Sequence, residues 1–175
     1  MRKLLAAMIT VAMASGCAAK AEAPDSAPIT PASLPAGTVA AVPATLRFSG
    51  KTLDGARFDA ATMAGKPAIL WFWAPWCATC ASEAQSISDL AQEYRGRLGI
   101  LGIAGLGDNK AMHEFVSDLN VGAVPHLDDR AGAIWKRFKI TQQSTYVFLD
   151  AGGKVLKTGY LDDLQLTEQV RSMVA

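Results

Sequence analysis

The stretch FWAPWCATC, from Phe72 to Cys80, joins the end of an apolar run to two cysteines three positions apart. The whole run, AILWFW, is continuous, as in a strand that is covered on both faces of a sheet. Apolar residues then recur at helical spacing after Cys80: Ala84, Ile87, Ala91 and Tyr94. The sequence therefore predicts that Cys77 lies where a buried strand turns into a helix.

That position predicts a reactive thiol. Backbone N–H groups and the positive end of the helix dipole favour the thiolate of Cys77 over its thiol. Cys80 follows one turn later on the same face, within reach of the first sulfur. The arrangement suits a two-step exchange: an exposed Cys77 thiolate attacks a disulfide of another protein, and Cys80 resolves the mixed disulfide. Run in reverse, the pair donates its disulfide to a dithiol.

Two other roles of the cysteine pair, a structural disulfide and a zinc site, have less support. A structural disulfide of this spacing closes a very small loop and adds little stability. Structural zinc usually takes four ligands, and the pair supplies two. His113, on the solvent side of its predicted helix, and His126, in a predicted loop after Pro125, are interpreted as surface or structural histidines. We predict neither a metal site nor a cofactor.

One proline and three tryptophans lie close before the pair. Pro75 and Trp76 carry no ionisable group and are predicted to form a rigid apolar rim beside Cys77, with simple packing as the alternative. Trp71 and Trp73 lie within the predicted strand and are interpreted as core residues.

The rest of the chain alternates strands and helices. The patterns, in chain order, are a hairpin turning at Asp54-Gly55, the strand before Cys77 and its helix, a strand over Leu98–Leu106, a helix capped by Asp108 or Asn109, a hairpin turning at Ala151–Gly153 and a helix bearing Leu166, Val170 and Met173. Alternating strands and helices indicate parallel pairing, and the late hairpin adds antiparallel edges. The predicted fold class is an α/β three-layer domain.

The N-terminus has the pattern of an export signal. Residues 1–17 combine a basic start with a short apolar run and end in ASGC, which resembles a bacterial lipobox with Cys17 as the lipidated residue. Cleavage after AMA without lipidation, or no processing at all, remains open. Residues 18–43 are rich in Ala and Pro and are predicted to be a disordered tether. Residues 44–175 are the predicted folded domain, located outside the cytoplasm, where disulfide chemistry is permitted.

Composition agrees with one such domain. The chain has 175 residues, half of them hydrophobic, and a formal net charge of +1. That charge gives no sign of a nucleic-acid partner, and we predict none.

The strand, W-C-x-x-C and helix resemble the thioredoxin signature. TLDGARFD, GKPAILWFWAPWCATC, Glu83 and VFLDAGGKVL further resemble the extracytoplasmic TlpA/ResA/DsbE group, and GIAGLGDNKAMHEFV and IWKRFKITQQSTYVF resemble secreted actinobacterial DsbE/DsbF-type proteins. The resemblance implies a thioredoxin-like three-layer sandwich, a mixed sheet with helices on both faces and an N-terminal β-hairpin extension. It also implies Cys77 as nucleophile and Cys80 as resolving cysteine. The implied partners are exported proteins with cysteines, a membrane redox protein for recycling and, through Cys17, the membrane itself.

Three positions depart from that family pattern. The resemblance places a substrate-binding loop at Gln143, Ser144 and Thr145, and Ser144 replaces the usual cis-proline. Because a cis peptide before serine costs about 2.5–4 kcal/mol, the loop is expected to be trans and reshaped, or strained. The buried acid of thioredoxin aligns with Trp71. Glu83 is a candidate for proton transfer, with a solvated surface glutamate as the alternative. Gln85 replaces a helix proline and predicts a less kinked helix.

The leading functional hypothesis is an extracytoplasmic thiol–disulfide oxidoreductase acting on exported proteins, slightly more as an oxidant than as a reductant. Three alternatives stay open: a reductant for cytochrome c maturation, a thioredoxin-fold lipoprotein that carries thiols or metals without turnover, and, with less support, a peroxidase.

Overall fold

The computed structural model describes residues 41–175. The strands are β1 (Ser49–Lys51), β2 (Arg57–Asp59), β3 (Ala68–Trp73), β4 (Gly99–Ala104), β5 (His126–Asp128), β6 (Thr145–Leu149) and β7 (Val155–Gly159). The helices are α1 (Ala78–Glu93), α2 (Asn109–Asp118), α3 (Ala133–Arg137) and α4 (Asp163–Val174), and 3-10 turns cover Ala44–Leu46 and Ala60–Met63. The predicted signal segment, Cys17 and nearly all of the predicted tether lie outside the described residues.

Five strands form one mixed sheet in the order β5-β4-β3-β6-β7. β3 pairs in parallel with β4, and β4 with β5, whereas β6 runs antiparallel to both β3 and β7. β1 and β2 form a separate antiparallel hairpin. The predicted mixed sheet and the N-terminal hairpin extension are confirmed.

Successive residues of β3 lie alternately in two hydrophobic cores, one on each face of the sheet. One core joins Ile69, Trp71 and Trp73 to apolar residues of α1, α2 and α4. The other joins Leu70 and Phe72 to α3 and the two 3-10 turns. Helices therefore cover both faces of the sheet, as predicted for a three-layer sandwich.

Two short elements were not predicted. β5 has three residues and α3 has five, and both lie in a segment rich in glycine, proline and aspartate. His126, predicted in a loop, is the first residue of β5 and is buried. Elements this short carry too few residues for a period of 2 or 3.6 to emerge from the sequence.

The chain enters the described domain beside the β6–β7 turn. The Thr45 hydroxyl donates to the carbonyl of Gly153 over 2.6 Å. A Cβ on Gly153 would lie 2.2 Å from Pro43, so only glycine permits this close approach. Arg137 also donates to the carbonyl of Ala44, in the same 3-10 turn as Thr45. Within residues 41–175, no helix has the length and hydrophobicity needed to cross a bilayer.

Candidate active site

Cys77 and Cys80 form a disulfide at the start of α1, with their Cα atoms 5.2 Å apart. Cys77 is the N-cap residue of the helix, and its sulfur accepts the backbone N–H of Cys80 over 3.0 Å. Such a donor at a helix N-terminus stabilises negative charge on the sulfur. The position predicted from the sequence is therefore confirmed.

The accessibility of Cys77 differs from the prediction. Its exposed fraction is 7%, and that of Cys80 is 0%. Both cysteines belong to the larger hydrophobic core, which explains why Cys77 is more buried than the exposed nucleophile that we expected. Of the two sulfur-bearing residues, only Cys77 retains some surface.

An apolar rim lies next to the disulfide. Trp76 is 59% exposed, and its indole N–H donates to the carbonyl of Leu106 over 2.6 Å. Leu106 is itself 52% exposed and has a φ of 56°, an uncommon backbone conformation for a branched residue. Pro75 packs so closely on Gly107 that a Cβ there would lie 2.4 Å from its ring. The predicted rim is present, and it includes Leu106, which the sequence analysis had placed inside a strand.

Glu83 lies on α1 and is buried, with an exposed fraction of 3%. Its carboxylate accepts the indole N–H of Trp71 over 2.9 Å and the hydroxyl of Ser144. Burial raises the pKa of the Glu83 carboxyl above its usual range, and the bonds from Ser144 and Trp71 partly oppose that rise. The alternative of a solvated surface glutamate is wrong, because Glu83 lies on the stripe of α1 that carries Cys80 and Ile87 into the core.

The loop before β6 brings Ser144 to this carboxylate. No cis peptide occurs in residues 41–175, and Ser144 has a φ of 33°. The peptide is therefore trans, as one of the two expectations had it, and the loop also carries backbone strain at Ser144. Gln143 is half-buried, and Thr145 begins β6, where its hydroxyl donates to the Gln142 carbonyl over 3.0 Å. Of these three predicted residues, Ser144 is the one that contacts Glu83.

Tyr146 is a neighbour of this cluster that the sequence analysis missed, since it reads as one more apolar strand residue. Its side chain is fully buried, and its hydroxyl has no hydrogen-bond partner within residues 41–175. Burial, followed by the charge of Glu83, raises the pKa of the Tyr146 phenol, so the hydroxyl keeps its proton.

Both histidines are hydrogen-bonded. His126 accepts the indole N–H of Trp73 at Nδ1 over 3.2 Å and donates from Nε2 to the Val121 carbonyl over 3.0 Å. His113 contacts the Leu53 carbonyl. The described residues contain no group of three or more His, Cys, Asp or Glu side chains placed to hold a metal ion.

Residues 41–158 match the AhpC/TSA family. The soluble secreted antigen MPT53 of Mycobacterium tuberculosis is 44% identical over 108 residues, and the match spans 62% of this chain but only 61% of MPT53. The thiol-disulfide oxidoreductase ResA of Oceanobacillus iheyensis is 25% identical over 132 residues, 68% of each protein.

Solved structures are similar as well. MTB dsbF, in mixed oxidised and reduced forms, superposes with a TM-score of 0.70 and 42% identity, over 75% of this chain and 98% of that one. A secreted Mycobacterium tuberculosis disulfide oxidoreductase homologous to E. coli DsbE gives a TM-score of 0.67 and 38% identity, over 73% and 97%. This chain therefore belongs to the AhpC/TSA family, has a thioredoxin-like fold, and is homologous to the mycobacterial MPT53 and DsbF proteins and to ResA.

Proposed function

We propose that this protein is a thiol–disulfide oxidoreductase that exchanges disulfides with exported proteins through Cys77 and Cys80. The observation that carries the proposal is the disulfide at the N-terminus of α1, where the Cys80 N–H lies 3.0 Å from the Cys77 sulfur. A thiolate is stabilised there, and its partner lies one helical turn away. The similarity to the thiol-disulfide oxidoreductase ResA and to a secreted disulfide oxidoreductase adds support.

In the oxidising direction a client thiolate attacks the Cys77 sulfur, and the bond to Cys80 breaks. Cys80 leaves with the electron pair and takes up a proton, which leaves a mixed disulfide between Cys77 and the client. A second client thiolate then attacks the client sulfur and releases Cys77 as a thiolate. The client loses two electrons, which the cysteine pair gains. The reducing direction is the same sequence in reverse.

Glu83 is placed to act in the proton step. It follows Cys80 by three residues on α1, and both side chains are buried on the same side of the helix. A carboxyl with a raised pKa is suited to give and take protons near neutral pH. In this proposal Glu83 gives a proton to Cys80 as the disulfide opens and takes it back as the disulfide forms.

The surface around Cys77 suits a polypeptide client. Trp76 and Leu106 offer exposed apolar area beside the disulfide, and large exposed apolar side chains that lie together commonly mark interaction sites. A groove of about 430 Å³ continues from Leu106 along Trp135 and Ile140. The loop bearing Gln143, Ser144 and Thr145 supplies further contacts in this proposal.

Location and direction complete the proposal. The similarity to secreted proteins and the export pattern of residues 1–17 support an extracytoplasmic location. In this proposal Cys17 is the lipid anchor, and a membrane redox protein is the recycling partner. Residues 18–43 act as a tether and 44–175 as the working domain. We favour the oxidant, because the N-cap position of Cys77 stabilises its thiolate and so the reduced pair.

The full chain is tested for oxidation of reduced ribonuclease and reduction of insulin. We expect turnover in the wild type, at least a hundredfold loss in Cys77→Ser, and a trapped client disulfide in Cys80→Ser. Cys17→Ser is the control, since it removes the remaining cysteine and leaves turnover unchanged. No turnover in the wild type would favour the carrier, and turnover in Cys77→Ser would remove Cys77 as nucleophile.

A redox titration of the same protein decides direction. A midpoint close to that of DsbA, about −120 mV, indicates an oxidant, and one close to that of thioredoxin, about −270 mV, indicates a reductant.

A further inference from the structure

Ser144 connects the loop before β6 to helix α1, although the two are far apart in the sequence. Its backbone belongs to the loop before β6, and its hydroxyl donates to Oε1 of Glu83, 61 residues earlier on α1. The other carboxylate oxygen, Oε2, accepts from Trp71 over 2.9 Å. A proline at position 144, as in the proteins that the sequence resembles, has no donor to offer Glu83.

The backbone at Ser144 is held in an uncommon conformation. A φ of 33° lies in the left-handed region, which is uncommon for residues other than glycine, asparagine and aspartate. Such conformations persist where the surroundings enforce them, and they concentrate at functional sites. At Ser144 the strained backbone accompanies a side chain that is 4% exposed and bonded to a buried charge.

The groups that face Glu83 make this bond important. The titratable ones are Tyr146 from β6 and Asp163 from α4, and no salt bridge to Glu83 occurs within residues 41–175. The Asp163 charge disfavours a second negative charge nearby, as burial does. Hydrogen-bond donors alone therefore stabilise the ionised form of Glu83: Ser144 and Trp71 bond it directly, and the nearby Tyr146 hydroxyl also lowers its pKa.

We propose that Ser144 is a positioning residue, whose hydroxyl bonds the Glu83 carboxylate about one helical turn after Cys80 and keeps it able to accept a proton. This inference rests on the proposed function, because it assigns to Glu83 the proton exchanged with Cys80. When the disulfide forms, Cys80 must lose a proton, and an ionised Glu83 accepts it. Without the Ser144 donor, burial raises the pKa of Glu83 further, so a smaller fraction of the carboxyl is ionised and able to accept that proton.

Tyr146 provides an alternative hydrogen-bond donor for the Glu83 carboxylate. Its hydroxyl is protonated, buried and unpartnered within the described chain, and the charge of Glu83 acts on it. If a client bound along residues 143–145 draws the Ser144 hydroxyl towards itself, Tyr146 is the donor that takes its place at Glu83, while the bond from Trp71 stays. Client docking and the protonation of Glu83 are then coupled through one side chain.

The first experiment titrates the Glu83 carboxyl by carbon-13 NMR in the oxidised full-length protein. Ser144→Gly removes the hydroxyl and also relaxes the backbone, since glycine accepts positive φ without strain, so folding is protected. We expect the titration midpoint of Glu83 to rise by about one pH unit relative to wild type, and Ser144→Ala to do the same. Ser88→Ala is the matched control, because it removes another buried hydroxyl of the protein, one that contacts the Asn120 carbonyl.

The second experiment measures the pH dependence of turnover. The limb assigned to Glu83 should move upward by the same amount in Ser144→Gly, and the Ser144 substitution should have no such effect in a Glu83→Gln background. An unchanged Glu83 midpoint in both Ser144 variants would overturn the proposal, as would an equal rise in Ser88→Ala. The titration needs no turnover, so an inactive wild type would refute the proposed function and leave the Ser144–Glu83 coupling to be judged by NMR.

Discussion

Trp71 and Trp73 lie on the same face of β3 and stack with ring centroids 5.8 Å apart, yet their indole N–H groups serve different kinds of site. Trp73 donates to His126, whose second nitrogen bonds the Val121 backbone. Trp71 donates to Glu83, whose second oxygen is bonded by a loop side chain, Ser144. The first site is completed by a backbone carbonyl, and the second is completed by the side chain of a loop residue.

The two sites also respond to acid in opposite directions. Burial lowers the pKa of His126 to about 4 from 6.5, so the folded protein resists protonation there and loses stability as the pH falls from 6.5 towards 4. Burial raises the pKa of Glu83, so the folded protein favours its protonated form, and its ionisation costs stability as the pH rises. Two buried titratable side chains thus contact the same strand, and they are distinguished by what completes their hydrogen bonds.

The largest expected effect concerns the His126 site. Between pH 6.5 and 4 the wild type should lose roughly 3 kcal/mol of unfolding free energy through His126 alone. His126→Gln keeps a donor and an acceptor without a titrating ring, so its stability should vary much less over this window. Urea unfolding at each pH measures the difference. Equal pH dependence in both proteins would show that His126 is not the group that responds.

A smaller effect is expected at the other site. Glu83→Gln should lower turnover at neutral pH by about tenfold, because the amide cannot take the proton of Cys80. The same change removes a buried charge, so the unfolding free energy at pH 7 should stay equal or rise. Steady-state assays and urea unfolding measure the two quantities. A loss of both activity and stability would place Glu83 with His126 as a structural group.

The last experiment compares the two tryptophans directly. Trp71→Phe and Trp73→Phe each remove one buried indole donor and should each cost about 1–3 kcal/mol of stability. Only Trp71→Phe should also shift the pH dependence of turnover, since it frees one oxygen of Glu83. Similar pH profiles in the two variants would remove the functional distinction between the sites.

Much of the fold followed from hydrophobic periodicity. The run before Cys77 is apolar at every position, and it became the central strand β3, buried along its whole length. Asp108 was one of two predicted caps, and its carboxylate does accept the Ala111 N–H at the start of α2 over 2.8 Å. The boundary at residue 44 and the roles of the site residues remain predictions.

The interior of the site was harder to infer. Glu83 falls three residues after Cys80 and four before Ile87, so its spacing already placed it on the buried stripe of α1. Its polarity pointed the other way, and only the positions of Trp71 and Ser144 explain why burial is tolerated. For Ser144 the sequence left two backbone solutions open. The choice depends on a contact 61 residues away, which local patterns do not contain.

The contact between Thr45 and Gly153 has a consequence for how the domain is presented. β3 begins at the end of the sheet where Ala68 pairs with Leu149, next to the turn that holds Thr45, and runs towards Cys77 at the other end. The polypeptide thus enters this unit at the pole opposite its sulfurs. A fusion joined directly at residue 41 would therefore be attached at the end of the sheet remote from Cys77.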